Sequence, residues 1–591
     1  LKWFIQELQR RNVIKSALAY LVVAWLLTQV MAILIPTFEL PTTYLKNLIL
    51  IMVVCFPLWV VFSWTYEITP EGLKKTRSVH PEESISGKTS NKLNYVIIAG
   101  LVIAIGFLVR NSIYSTANAE IKEEIVETAT DKSIAVLAFA DMSQEKDQEY
   151  FSDGISEEIL NLLVKIPELK VISRTSSFSY KGKNVNIKQI GKELNVSHIL
   201  EGSIRKSGNT FRITAQLIDV NTEAHIWSET YDRKMEDIFK VQDEIATRVT
   251  QQLKISLSDT ALTSTPADTE AYNLYLQAHQ EDLLSTAENT TNAIQLAKES
   301  VAVDSTYAPA WAMLSYLYYT ASYSFVIMPM ETARKEGMAA AKKAIALDPE
   351  NIRGYTGLAL WEHASWNFKA ANDLSEKTSQ FAPNNAALNG IKAKFALNNG
   401  KPELAIELTL KVVELDPLNK YEFYSYLGYY HWLFGDYEEA EDYLNKYISF
   451  FPNRTIAKIN MADIQMSMGN YDVALALLNN DAHPFWNLYG KCKAVYAQED
   501  RKEADRLLNQ FLTEWSGEAW PNVAEVYAFR GEKKQAFKWL DLALENKDIT
   551  LLEILNFPSM QNLWGDPRWN AFINKLGLPD DHGFHLDSRL L

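Results

Sequence analysis

Cysteine is almost missing. The chain of 591 residues holds two, Cys55 and Cys492, so no disulfide framework staples it. Histidine is scarce too, at nine, and none forms HExxH or another zinc spacing. No G-x-S-x-G nucleophile turn occurs. Gly87-Lys88-Thr89 has the tail of a phosphate loop, but Glu82 stands where that loop requires glycine, and no strand precedes it. These absences predict a chain that is not an enzyme, with no catalytic, cofactor-binding or metal-binding residues and no cofactor. A basic stripe is lacking as well. Residues 1–114 carry 11 Lys/Arg against 6 Asp/Glu, whereas the remainder carries 47 against 67. An acidic body cannot neutralise phosphates along a groove, which argues against a nucleic-acid partner.

Apolar runs come first. Val13–Ile35 and Tyr44–Tyr66 are long enough to cross a hydrocarbon core of about 30 Å, and Leu93–Val109 is near the lower limit. Three runs in succession read as a membrane anchor over residues 1–110, with Pro57 kinking the second helix, and not as a cleaved signal peptide. Leu1–Asn12 has the pattern of an amphipathic helix on the cytoplasmic face, with Trp3, Phe4 and Leu8 on one side. Basic residues cluster before the first run (Lys2, Arg10, Arg11, Lys15) and between the second and third (Lys74, Lys75, Arg77, Lys88, Lys92). The positive-inside rule then places the N-terminus in the cytoplasm. Three crossings put residues from about 111 onward in the periplasm of a bacterial inner membrane.

After a polar linker at 111–131, strand and helix patterns mix over 132–258. Ser133–Phe139 reads as a buried strand. Asp153 is a plausible N-cap for a helix to about Lys165, with Glu157 and Glu158 in its first turn. Leu169–Arg174 reads as a strand and Ile187–Leu194 as a helix. A meander follows: His198–Arg205, Thr210–Asp219 and Ala224–Thr230. Phe211, Ile213, Ala215 and Leu217 alternate with polar residues, the signature of a sheet with one apolar face. Asp237–Ser256 reads as a closing amphipathic helix. Asp153, Arg174, Ser176, Glu201, Arg205, Gln216 and Asp219 are candidates for a ligand site, although caps, turns and solvated faces account for such residues more often. Trp227 and Tyr231 read as packing residues.

Beyond a linker at 259–268 the chain repeats. Asp348-Pro349, Ala382-Pro383, Asp416-Pro417 and Phe451-Pro452 place prolines 34, 34 and 35 residues apart. That is the period of a tetratricopeptide array, whose helix pairs bury their apolar faces by stacking and present a long groove. Small residues at Ala359, Gly428, Cys492 and Ala524 permit close helix approach, which assigns Cys492 to packing. About eight units fit residues 269–548. Ala321–Met330 lengthens one unit by an apolar insertion, and 549–591 forms a cap and tail.

The stretch SIAVLAF…EYFSDGISEEIL…VISRTSSFSYKGK…IGKELNVSHILEGSIRKSGNTFRITAQLID…HIWSETYDR…VQDEIA resembles the TolB-N-like (FlgO-like) domain. Such domains occur in bacterial membrane proteins, often between a membrane segment and tetratricopeptide repeats, and RRNVIKSALAYLVVAWLL…FPLWVVFSWTYEITPEGLKK looks like that membrane module. Some relatives carry a class III nucleotide cyclase domain or a DNA-binding winged helix at the N-terminus; neither pattern is found here. The expected fold class is therefore multidomain, with N-terminal transmembrane helices, an α/β TolB-N-like domain and an all-α tetratricopeptide superhelix. The expected function is a membrane-anchored periplasmic scaffold for protein partners, in contact with the lipid bilayer, as a homo-oligomer or a subunit of a larger membrane complex. The alternative is an envelope sensor whose α/β domain binds a ligand and signals across the membrane. Tyr426, Tyr429 and Tyr430 lie off the packing positions of one repeat helix and are the candidate partner contacts.

Overall fold

The computed structural model describes residues 132–584 apart from 146, 209, 256–266, 453 and 480–482. It also describes the strand pair 66–69 and 72–75 and scattered helical residues between 13 and 64. Residues 1–130 and 131–591 form two compact units.

In the first unit, β1 (Tyr66–Thr69) and β2 (Gly72–Lys75) pair antiparallel. The Tyr20 hydroxyl donates to the carbonyl of Met52 at 2.8 Å, and its ring lies 5.6 Å from Phe56. No helix among the described residues is long and apolar enough to cross a membrane. This corrects the expected fold class with its transmembrane helices, and with it the inner-membrane and periplasmic placement. A crossing needs about 20 consecutive apolar helical residues, and no described helix supplies them. Apolar composition alone does not separate a spanning helix from a packed one. The run at 93–109, the segment 1–12 and the linker 111–131 lie outside the described residues.

The second unit is mostly helical, with one small sheet. Its elements begin with β3 (Ser133–Val136), β4 (Ala140–Asp141), α1 (Glu149–Val164), β5 (Lys170–Val171), α2 (Arg174–Phe178) and α3 (Ile187–Leu194). The meander β6 (His198–Ser207), β7 (Thr210–Asp219) and β8 (His225–Lys234) precedes α4 (Ile238–Gln252). The sheet order is β5-β3-β6-β7-β8, with β3 parallel to β5 and β6 and the meander antiparallel. Alternation sends Ile134, Val136 and Leu200 toward α1 and α4, and Ala135 and Ile199 toward Ile190 and Leu194 of α3.

Eight helix pairs follow: α5 (Thr269–Leu283) with α6 (Ala287–Val303), α7 (Ala308–Tyr323) with α8 (Met330–Leu347), α9 (Ile352–Ala364) with α10 (Phe368–Phe381), and α11 (Ala386–Asn398) with α12 (Pro402–Leu415). Then come α13 (Lys420–Phe434) with α14 (Tyr437–Phe450), α15 (Thr455–Ser467) with α16 (Tyr471–Asn479), α17 (Pro484–Ala497) with α18 (Arg501–Trp515), and α19 (Trp520–Phe529) with α20 (Lys533–Glu545). Among the described residues, α21 (Thr550–Ile554) and α22 (Pro567–Lys575) come last.

The prolines set the period by stopping helices. A residue before proline is pushed out of the helical region. Asp348, Ala382, Asp416 and Phe451 are each the C-cap of a second helix, with φ between −126° and −142°. Gly435 ends α13 at φ 105°, a value that costs a side chain heavily. A Cβ on Gly428 would sit 3.1 Å from the carbonyl of Ala440, so the glycine lets α13 lie close on α14. Cys492 is fully buried, and burial pushes its thiol up to about 12, which keeps it unreactive. In the apolar insertion, Val326 is 79 % exposed.

The sheet layer and the array share one hydrophobic core. Phe239 of α4 and Phe151 of α1 meet Tyr272 of α5 at 5.0 and 6.4 Å between ring centroids. A Cβ on Gly154 would fall 2.4 Å from Leu276, so a glycine inside α1 is what admits α5.

Candidate functional site

The sheet layer docks on the turns that join one helix pair to the next. The hydroxyls of Ser173 and Ser176 both donate to Asp416 Oδ1, the latter at 2.6 Å. Ser176 Oγ in turn accepts from the backbone N–H of Leu418 at 2.9 Å. Asn384 Nδ2 donates to the carbonyls of Pro167 and Leu169 at 3.0 and 3.3 Å. Lys170 pairs with Glu414 at 2.9 Å.

Between these contacts lies a cleft of about 670 Å³. One wall is α1, which contributes Glu157, Glu158 and Asn161. The other is a row of first helices, each lending a residue: His279 from α5, Tyr316 from α7, Leu360 from α9, Ile391 from α11 and Phe423 from α13. Equivalent helices of stacked repeats repeat the same outlook, so five units build one continuous surface.

Charge concentrates at the α1 end. Glu157 is buried and lies 2.9 Å from Arg174 Nε, 3.2 Å from His279 Nε2 and 3.8 Å from Arg353. Burial alone would raise its carboxyl, but His279, Arg353 and Arg174 outweigh burial and hold it at about 2. Glu158 has the opposite fate. Burial, and then the charge of Glu157 beside it, raise it to about 7. Tyr275 donates to Glu158 at 3.4 Å, and burial raises Asp282. This end of the cleft thus brings together cations, an anion and a carboxyl whose proton is held more tightly than usual. Among the described residues, no cluster of three or more His, Cys, Asp or Glu is arranged to hold a metal ion.

Of the residues singled out in the sequence, Arg174 enters the cleft and Ser176 the docking contact. Asp153 is not an N-cap: α1 begins four residues earlier, after Gln148, and Asp153 instead pairs with Lys181 at 2.7 Å. Glu157 and Glu158 therefore sit in the helix interior, not its first turn. Asp219 is a turn residue that accepts from the N–H and hydroxyl of Thr222. Glu201 and Gln216 face each other across β6 and β7, and Arg205 faces Arg212. Trp227 packs on the core and Tyr231 is buried. Tyr426 is half exposed, 6.3 Å from Phe423. Tyr430 is buried, and Tyr429 meets Phe557 of the C-terminal segment at 6.3 Å. Sequence reasoning missed His279 and Arg353. Each stands alone in its repeat, and only the approach of α1 gives them a common partner.

No family model matches the chain. A curated protein of Rhizobium meliloti (strain 1021) that carries the name "Putative adenylate cyclase 3" is 37 % identical over 232 residues, 39 % of this chain and 40 % of that protein. The chain thus spans well under half the length of that relative. The relative's name opposes the expectation that the chain is not an enzyme, and that expectation is corrected accordingly. Solved structures to which the chain is similar are tetratricopeptide-repeat proteins. Pseudomonas aeruginosa pilF is 17 % identical, with a TM-score of 0.29 over 38 % of this chain and 99 % of its own. YrrB, described as having an unusual peptide-binding site, is 19 % identical, with a TM-score of 0.26 over 36 % and 96 %. A tetratricopeptide repeat protein from Parabacteroides merdae ATCC 43184 is 14 % identical, with a TM-score of 0.33 over 44 % and 99 %. At these scores the repeat assignment rests on the chain's own helix pairs.

Proposed function

We propose that the chain is a protein-interaction scaffold that holds a segment of a partner polypeptide in the cleft between α1 and the first helices. The observation that carries this reading is the row from His279 to Phe423, one residue from each of five successive first helices facing one cleft. A groove of this kind takes an extended or helical segment along several units, with side chains filling successive gaps. Tyr426 extends the contact beyond Phe423, with Tyr429 and Tyr430 behind it. The sheet layer, which resembles the TolB-N-like domain, forms the lid wall and supplies Glu157, Glu158 and Arg174. Selection of peptides from a random library on the full chain tests this. Selected peptides should lose at least about tenfold in affinity to Arg353→Glu, since a buried contact to a charged group is worth about 1.5–3 kcal/mol. Peptides that bind this variant unchanged would place the site elsewhere.

A second reading comes from the curated relative: the chain takes part in forming a cyclic nucleotide. Incubation of the full chain with ATP and a divalent cation, followed by chromatography for cyclic AMP, decides it. Product formation that follows the protein through purification supports it, and no product sinks it.

A further inference from the structure

The last two helix pairs carry a second recess, of about 390 Å³, on residues unrelated to the cleft. Phe485 and Trp486 open α17, Trp515 closes α18, and Glu518 and Asp548 stand at the turns after α18 and α20. The three rings are half-buried, and Phe485 stands nearly at right angles to each tryptophan. Phe485 meets Trp486 at 4.7 Å and 85°, and Trp515 at 5.1 Å and 81°. All three rings line the recess, and the π face of an aromatic ring attracts a cation. The carboxylates add the same sign of field. Asp548 is fixed in place, since its Oδ1 accepts from the backbone N–H and hydroxyl of Thr550 at 3.0 and 2.6 Å. Glu518 is exposed at the rim. No lysine or arginine is among the residues that line the recess.

We propose that this recess binds an alkylammonium group. Rings supply cation–π attraction and van der Waals contact to the alkyl substituents, while Glu518 and Asp548 supply the compensating charge. A neutral group of the same shape keeps the contact and loses the attraction. An anion is repelled.

The test uses the full chain labelled with 5-fluorotryptophan, with resonances assigned through Trp486→Phe and Trp515→Phe. Choline, n-butylammonium and the neutral isostere 3,3-dimethylbutanol are titrated in turn. The expected result is saturable movement of the Trp486 and Trp515 resonances, with choline bound at least about fivefold more tightly than the isostere. Glu518→Gln, an exposed change that leaves the rings intact, should weaken choline about two- to threefold and leave the isostere unaffected. Tighter binding of choline points to a quaternary ammonium source, and tighter binding of n-butylammonium to a lysine side chain. Equal or tighter binding of the isostere, or no movement of either resonance, overturns the proposal.

Discussion

Ser176 Oγ donates to Asp416 Oδ1 at 2.6 Å across 240 residues of sequence, and so ties the sheet layer to the turn that closes the fourth helix pair. Asp416 is buried and also accepts from Ser173. Asp416→Ala leaves two hydroxyls without their acceptor, at a cost of about 1–3 kcal/mol. Asp416→Asn, which keeps one acceptor oxygen, should recover part of the loss. Urea unfolding of the three proteins measures both. A variant as stable as the parent would mean that the docking contact contributes nothing.

The carboxyl pair on α1 predicts a pH dependence with two arms. Glu157 has a folded value lowered from 4.5 to about 2, so its stabilisation is complete above 4.5 and is lost as pH falls toward 2. Glu158 has a folded value raised from 4.5 to about 7, so its contribution is present below 4.5 and is lost as pH rises through 7. Thermal midpoints should therefore fall from about pH 5 to about pH 8, and Glu158→Gln should flatten that fall. If Glu158→Gln keeps the parent's slope in that range, the slope arises elsewhere.

Lys493 makes the third prediction. It is 2 % exposed and lies 3.0 Å from Asp463 and 3.5 Å from Glu525, under the ring of Tyr489. Glu525 also accepts from Tyr489 at 2.9 Å and from Ser559, which links α19 to the C-terminal segment. Lys493→Met removes the cation and strands two carboxylates, which should cost about 3–5 kcal/mol. The triple change Lys493→Met, Asp463→Asn, Glu525→Gln should cost less than the single one, by the same unfolding assay. A single variant that is no less stable than the triple would contradict the charge argument.

How far the sequence spoke depends on distance along the chain. Helix Ile187–Leu194 and strand Thr210–Asp219 appear where their local patterns put them, because caps and alternation act over a few residues. The proline period was legible for the same reason, since Pro417 stops a helix whatever lies across from it. That Asp416 beside it is a docking acceptor was not, because its partners are on α2. The α1 start was misjudged, because Asp153 has the residue type of a cap while the helix begins at Glu149, and Leu276, which needs the missing Cβ of Gly154, lies far along the chain. The apolar runs before residue 110 were read by composition, which measures aversion to water and not what replaces it. The contact of Tyr429 with Phe557 was not legible, because Phe557 lies in the cap more than a hundred residues later.

Gly400 predicts that the C-terminal segment can be prised off. Its φ is 74°, and an added Cβ would sit 3.0 Å from the ring of Phe584. The N–H of Gly583 donates to the carbonyl of Asn399 at 2.7 Å beside it. Gly400→Val should combine backbone strain with this clash, costing at least about 1 kcal/mol and exposing residues 577–584 to protease. Cleavage there at the parent's rate would show that the segment is held by other contacts.

The proposed scaffold role rests on the cleft, and site-specific photocrosslinking in living cells tests it most directly. p-Benzoylphenylalanine is placed at Leu360, inside the cleft, or at Lys502, exposed on a second helix. The account predicts a discrete adduct with another polypeptide from Leu360, abolished by Arg353→Glu, and none from Lys502. Adducts from Lys502 alone, or equal adducts from both positions, would contradict it.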